Sequence, residues 1–487
     1  MSNSNSTPAA SAQRTASVAT PAGVIVAGGG GPAMAADSAS TALGSERRAA
    51  LGKGALAKAS SLLHRTQCYL GKKIFHWLMS RIRIGGLTVT YAETGETHHF
   101  GDQSSPTQGA IVIKDPHLPW EIITLSQLGL GMGYVMDTWE SDSPYHLLLI
   151  LTLNERQFRK VVMKGYRFDL RAFRTARTAL REIDNSRRID DCRRQIGLAY
   201  DVGNDFYRLM IGPTLVYSCA IWPRADATLD EAQLYKIDLI IDKLQIEAGH
   251  RVLDIGSGWG TLCARVHERT GAKVRGIALS HEQVNGARQR FPELDFEYMD
   301  WRQDSGRYDR IVTVGMIEHV GLANLPAFMQ QVAKLLEPGG LCMVHCLQPI
   351  ENILISERHE SHPSWGSVML PGVESPTQSE VILAAIGTGQ LRLRHGENFG
   401  IHYARTMRSW LANMHQHREE LLELVSDEVY RSHEYAWHLS CALESGYNLM
   451  QMVFEKQPFG SPLEHSAVDP SHVRSSTLGR RDDAPIA

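Results

Sequence analysis

Arg251–Ser280, RVLDIGSGWGTLCARVHERTGAKVRGIALS, is the stretch that decides the fold. Val252 to Ile255 reads as a buried strand, Gly256, Gly258 and Gly260 as a loop, the following residues as a helix, and Lys273 to Ala278 as a second strand. Units of this kind bind ligands at the carboxyl ends of their strands, where glycine lets the backbone approach closely.

Further strand patterns follow at Asp295 to Met299, Arg310 to Val314 and Gly340 to His345, with helical patterns between them. Residues 195–456 therefore read as a doubly wound, Rossmann-like α/β domain with right-handed crossovers, ending in a helical region from about Thr406 to Lys456. Upstream, Leu62 to Leu78 has helical spacing, while Leu87 to Tyr91, His98 to Phe100 and Ala110 to Ile113 read as strands. That predicts a smaller N-terminal α+β domain over 61–155. Residues 156–194 carry Arg and Lys repeatedly, from Arg156 to Arg194, with carboxylates interspersed. The stretch reads as a solvated helical linker, or as a surface for anionic lipid headgroups at about 1 kcal/mol per basic residue. Residues 1–60, rich in Ala, Ser and Gly, and the polar tail 457–487 bury too little apolar surface to offset the entropy of ordering and are expected to be disordered.

Composition excludes several classes. With 43% hydrophobic and 21% charged residues, the 487-residue chain is of globular type, and its length predicts more than one folded unit. A net charge of −3 speaks against wholesale nucleic-acid binding. Seven scattered cysteines without a CxxC pair read as reduced thiols, with no structural metal site expected. No apolar run reaches the ~20 residues of a membrane helix. His146 to Leu153 reads as core, and no basic region precedes the apolar patch Val24 to Ala27 as a secretory leader requires. A cytoplasmic location is the expectation.

Two details choose among nucleotide cofactors. The glycines are spaced GxGxG, not GxGxxG, and the second strand ends in Ala278-Leu279-Ser280, without the acid that holds a dinucleotide ribose. No Gly-Lys-Ser/Thr follows at P-loop spacing. Asp254 stands where a carboxylate can position the charged methionine part of S-adenosylmethionine (SAM), although capping or loop hydrogen bonding would also explain it. Asp300-Trp301 offers an acid and an aromatic face to an adenine. The pattern points to a SAM-dependent methyltransferase.

Further stretches narrow this: Tyr200-Asp-Val-Gly-Asn-Asp-Phe-Tyr207, Thr214-Leu-Val-Tyr-Ser-Cys-Ala220, Leu229-Asp-Glu-Ala-Gln233, Gly315-Met-Ile-Glu-His-Val-Gly321 and Asn398-Phe-Gly-Ile-His-Tyr-Ala-Arg-Thr-Met407. With LDIGSGWG they resemble the cyclopropane-fatty-acyl-phospholipid synthase family, which includes the mycolic acid cyclopropane synthases. The likeness covers roughly 195–455, and Leu87 to Glu140 looks like the N-terminal domain of the phospholipid enzymes. The resemblance implies a class I SAM methyltransferase fold and methylene addition across a cis double bond of an acyl chain. It also implies a bound bicarbonate as base, held by Cys219, Glu318, His345, Leu347 through its backbone, and Tyr403. The SAM contacts it implies are Tyr217, Ser218, Gly256, Gly258, Ala278, Leu279, Ser280, Gln283, Asp300 and Trp301, beside Asp254. Cys441 matches a cysteine assigned to the family's active site, though the chemistry needs no thiol nucleophile, and a structural or channel-lining role serves equally.

Departures from the family pattern are Met132 in place of an acid, Ser257 in place of a cysteine, and Met369 to Pro376, which matches loosely. The implied setting is the inner face of a membrane, with unsaturated phospholipid acyl chains as substrate and a homodimer as the assembly. The alternatives are a methyl-branched fatty acid or methylated amine as product, or a non-catalytic lipid-binding protein on a degenerate methyltransferase fold.

Overall fold

The computed structural model describes residues 62–158, 192, 193, 196, 200, 202–349, 373–443 and 447–457. The expectations for 1–60, for most of the basic stretch 156–194, for 369–372 and for the tail beyond 457 lie outside these residues.

The described residues build two sheets. The small one runs β2-β1-β3-β4, from β1 (Gly86–Tyr91), β2 (Thr97–Gly101), β3 (Gln108–Ile113) and β4 (Trp139–Glu140), with β1 and β3 parallel. Its core of Leu87, Val89, Ile111, Trp139 and Leu147 continues into Tyr435, Leu439 and Ala442 of the helix Asp427–Ala442. Two polar clamps join the same surfaces: the Tyr134 hydroxyl donates to Glu434 Oε2 at 2.6 Å, and Arg431 Nε donates to the Tyr134 carbonyl at 2.7 Å. The small sheet thus packs on the last helix among the described residues. His146 to Leu153 falls in the helix Pro144–Leu153, whose Leu147, Leu148 and Ile150 are buried.

The large sheet runs β10-β11-β9-β8-β5-β6-β7. β5 (Arg251–Ile255), β6 (Lys273–Ala278), β7 (Asp295–Tyr298), β8 (Tyr308–Val314) and β9 (Leu336–Pro349) are parallel, whereas β11 (Tyr447–Lys456) runs against β9 and β10 (Leu391–Asn398) against β11. β6 and β7 lie on one side of β5 and β8 and β9 on the other, so chain order reverses between β5 and β8. The crevice beyond their carboxyl ends is where an open α/β sheet holds a ligand. The Rossmann-like expectation is met.

One expectation fails. The helical region placed from Thr406 to Lys456 is instead three helices, Tyr403–Gln416, Arg418–Leu424 and Asp427–Ala442, followed by β11. A strand buried on both faces reads as a continuous apolar run, and Leu449 to Phe454 (LMQMVF) has no period-two alternation to separate it from helix. β10 was also missed, although Leu391-Arg-Leu-Arg394 alternates as a half-buried strand should. Among the described residues, no helix is long and apolar enough to cross a membrane.

Candidate active site

The glycine loop turns sharply out of β5. Gly256 and Gly258 have φ of +87° and +53°, a region that costs a residue with a side chain about 1–2 kcal/mol. A Cβ on Gly256 would stand 2.7 Å from Met316 Cβ. The amides of Gly256 and Ser257 donate to the Ile277 carbonyl at 2.8 and 3.1 Å, tying the loop to β6.

Above this loop opens a cleft lined by Tyr217, Ser218, Asp254, Gly256, Gly258, Ala278, Leu279, Gln283, Asp300 and Trp301, that is, every cofactor residue expected from the sequence except Ser280. Ser280 is buried just behind, where its hydroxyl accepts from the Gln283 amide at 3.1 Å and caps the helix His281–Arg290.

Asp254 is fully enclosed, and burial pushes its carboxyl up to about 7 against the opposing hydrogen bond from Cys263 Sγ at 3.5 Å. Its Oδ1 has no hydrogen-bond partner among the described residues. A buried carboxylate oxygen of this kind suits a cationic group. Asp300 differs from the simple expectation, because Arg302 engages both its oxygens, the amide at 2.9 Å and the guanidinium at 3.0 Å, while that guanidinium lies over the Trp301 ring. Aromatic rings close one wall: Tyr217 packs against Tyr200, Tyr207, Trp410 and Trp437 with centroids 5.2 to 6.0 Å apart.

The second group of expected residues collects on β9 and its neighbours. Glu318 sits in the short 3₁₀ turn Ile317–His319 after β8, and its Oε1 accepts from the Leu347 amide at 2.7 Å. His345 and Leu347, two apart on β9, share a face. Burial pushes the Glu318 carboxyl up to about 7 and the His345 imidazole well below its ordinary range, the latter helped by Lys236 and Lys243. Glu318 Oε2 and His345 Nε2 are both buried and lack a hydrogen-bond partner among the described residues.

Cys219 is buried with Phe399 and Leu449, and Tyr403 packs on that cluster. Its thiol is pushed up to about 12 by burial and donates to its neighbour's carbonyl, so it is no nucleophile. Cys441 is buried in the core with Trp410, Trp437 and Tyr430, against which Tyr217 and Tyr403 also pack, and its thiol faces the Ala404 carbonyl at 3.9 Å.

Several contributors were not found from the sequence. Lys236, with no exposed surface, lines the cleft, donates to Ser218 Oγ at 2.5 Å and lies within electrostatic reach of Cys219 and His345. Thr406 Oγ1 accepts from the Ala220 amide and Trp222 Nε1, holding the Cys219 segment against the helix Tyr403–Gln416. The Tyr200 hydroxyl meets His319 Nε2 at 3.0 Å. Buried Gln451 bonds His345 Nδ1 at 3.2 Å. Lys236 lies three residues beyond the quoted Leu229-Asp-Glu-Ala-Gln233, and its period with Ala232 and Ile240 on the apolar face is the available signal. Away from the cleft, His415, Glu434 and His438 bring possible metal-ligand atoms within 4.8 Å of one another, but the first two already pair at 2.9 Å.

Comparison with known proteins bears on this geometry. Residues 187–450, more than half the chain, match the family of mycolic acid cyclopropane synthetases. The tuberculostearic acid methyltransferase of Mycobacterium tuberculosis is 30% identical over 334 residues, which cover 66% of this chain and 75% of that one. The cyclopropane-fatty-acyl-phospholipid synthase of Escherichia coli K12 is 29% identical over 332 residues, 67% of this chain and 81% of that one. The crystal structure of mycolic acid cyclopropane synthase CmaA1 complexed with SAH and CTAB superposes with a TM-score of 0.51 at 28% identity, covering 54% of this chain and 98% of that chain. The mostly parallel sheet, the cleft at its switch point and these matches together assign the chain: it belongs to the mycolic acid cyclopropane synthetase family and is a SAM-dependent methyltransferase.

Proposed function

We propose that the protein adds a methylene group across cis double bonds of unsaturated acyl chains in membrane phospholipids, working at the inner membrane surface. The observation that carries this reading is the pair of buried, unpartnered atoms Glu318 Oε2 and His345 Nε2 near the cofactor cleft. Methyl transfer to an alkene leaves a carbocation, and the ring closes only when a base takes a proton from the new methyl, which a buried polar pocket beside the cleft can provide for. An alkene is a weak nucleophile, so the methyl donor and the double bond must be held in line and away from water.

SAM, when bound, supplies the carbon as its sulfonium methyl, and bicarbonate, when held, supplies a base for the proton that the new methyl must lose. Asp254 and the glycine loop would orient the methionine end of the cofactor, and Trp301 and Asp300 its adenine. Tyr217 and the rings around it offer negative faces to a developing cation. His345, Tyr403 and the Cys219 segment would hold the oxyanion with donors, and Glu318, kept near neutrality in its pK by burial, can accept its proton.

A second reading has one specific support, the 30% identity to a tuberculostearic acid methyltransferase. In it the cation loses a proton so as to leave a methylene branch, which a separate hydride donor would have to reduce to a methyl branch. The two separate on one measurement: purified protein is incubated with SAM and vesicles of unsaturated phospholipid, and the fatty-acid methyl esters are analysed by mass spectrometry. A gain of one methylene that resists mild hydrogenation is expected. A branched product would replace the first reading with the second, and no SAM-dependent gain on lipid would sink both.

A further inference from the structure

Three strands bring a row of polar side chains together beneath the pocket. In the sheet register Glu397 of β10 stands opposite Gln451 of β11, and Gln451 stands opposite His345 of β9. Lys243, at the end of the helix Leu229–Lys243, reaches down onto this row, its Nζ 2.6 Å from Glu397 Oε2 and 2.6 Å from the Gln451 side-chain oxygen. Gln451 Nε2 is 3.2 Å from His345 Nδ1, and Gln451 itself has no exposed surface.

The donor inventory leaves one solution. The Glu397 carboxylate holds Lys243 as an ammonium, which can only donate. The amide of Gln451 must therefore turn its oxygen to Lys243 and its NH₂ to the imidazole. A donor facing His345 Nδ1 requires that nitrogen to be the bare acceptor, so the ring proton sits on Nε2, the buried atom without a partner. Every charged group reaching the imidazole acts in the same sense: Lys236 and Lys243 both oppose a second proton on it.

We infer that Gln451 is a positioning residue that locks His345 as its Nε2–H tautomer, so that the ring offers the pocket a hydrogen-bond donor and never a base. Base chemistry in the pocket then falls to Glu318 or to an oxyanion held beside it. The inference deepens the reading of His345 as an anion ligand and rests on it only for the consequence. The tautomer itself is a property of the protein before any substrate binds.

The test is a long-range ¹H–¹⁵N correlation spectrum of the full-length protein labelled with [¹⁵N]histidine, the His345 signals being identified by their loss in His345→Gln. The wild type is expected to show Nε2–H with an unprotonated Nδ1 throughout the neutral range. In Gln451→Glu a carboxylate, which only accepts, faces Nδ1, so His345 should become protonated there. Turnover should fall about 10- to 100-fold, the usual range for partners that orient a liganding histidine, with SAM affinity unchanged and a new limb in the pH–rate profile. If that variant does not fold, Lys243→Met frees the amide to rotate, and a mixture of tautomers is expected. An Nδ1–H signal in the wild type, or an Nδ1 that stays unprotonated in both variants, overturns the inference. Neither result depends on which lipid product is made, so a failure of the tautomer lock is distinguishable from a failure of the cyclopropanation reading.

Discussion

The cofactor cleft and the pocket around Glu318 and His345 adjoin each other but are built by opposite means. The glycine loop, its strand and its helix come from one stretch of thirty residues, Arg251 to Ser280, and backbone amides hold the loop to β6. The pocket draws Cys219, Glu318, His345, Tyr403 and Gln451 from five segments, and side-chain hydrogen bonds and strand register hold it. In the first, conformation does the work and few side chains are irreplaceable. In the second, single side chains set the polar character of the pocket, and on the proposed function they would carry the chemistry. Substitutions in the two regions should therefore fail in different ways.

The largest effect is expected from Glu318→Gln. The amide keeps the size of the carboxylate and can still accept from the Leu347 amide, so folding and SAM binding should be preserved. Turnover should fall about 10²- to 10⁴-fold, the span of a lost general base or its proton acceptor. Steady-state kinetics with SAM titration calorimetry separates the two quantities. Equal losses in turnover and SAM affinity would make Glu318 structural and erase the contrast.

Gly256→Ala should behave in the reverse manner. A φ of +87° costs an alanine about 1–2 kcal/mol, and the added Cβ meets Met316, two residues before Glu318. Thermal stability and SAM affinity are expected to fall together, with turnover at saturating SAM affected less. An unchanged melting temperature would mean that the loop does not need its left-handed backbone.

The same division decides what could be read from the sequence. The cleft was legible because its determinants are local: the glycines, the absence of an acid after Ala278-Leu279-Ser280, and Asp300-Trp301 all follow strands recognisable by their apolar runs. The pocket was legible only through the likeness of YSCA, MIEHVG and HYART to a family, since nothing local says that Cys219 and His345 both lie within electrostatic reach of Lys236. Its supports were invisible. Gln451 lay in a run read as helix, and a polar residue between Met450 and Met452 gives no hint of the strand that faces β9. Lys243 ends a helix with an ordinary capping box and reads as a solvated C-terminal cation, yet its side chain is only 14% exposed. Burial of charge is a tertiary fact, fixed by which helix covers which strand.

Lys236 belongs to both regions and offers the finest comparison. Its ammonium group bonds Ser218 in the cleft wall and lies within electrostatic reach of Cys219 and His345 of the pocket. Burial lowers it from an ordinary value of 10.5 to about 7. Between those values the unfolded chain holds a proton that the folded chain has released, so the contribution of Lys236 to stability rises with pH across this window and is lost as pH falls through about 7. Methionine has similar length and no charge, so Lys236→Met removes the titrating group together with its pH-independent bond to Ser218. The stability difference, wild type minus variant, should climb with pH between about 7 and 9, below the range where buried thiols such as Cys219 begin to oppose it. Denaturant unfolding of both proteins at a series of pH values measures it. A flat difference would mean that Lys236 keeps its charge when folded. It would then act as a fixed cation beside the oxyanion pocket, and the variant should lose turnover through the pocket while the cleft still binds SAM.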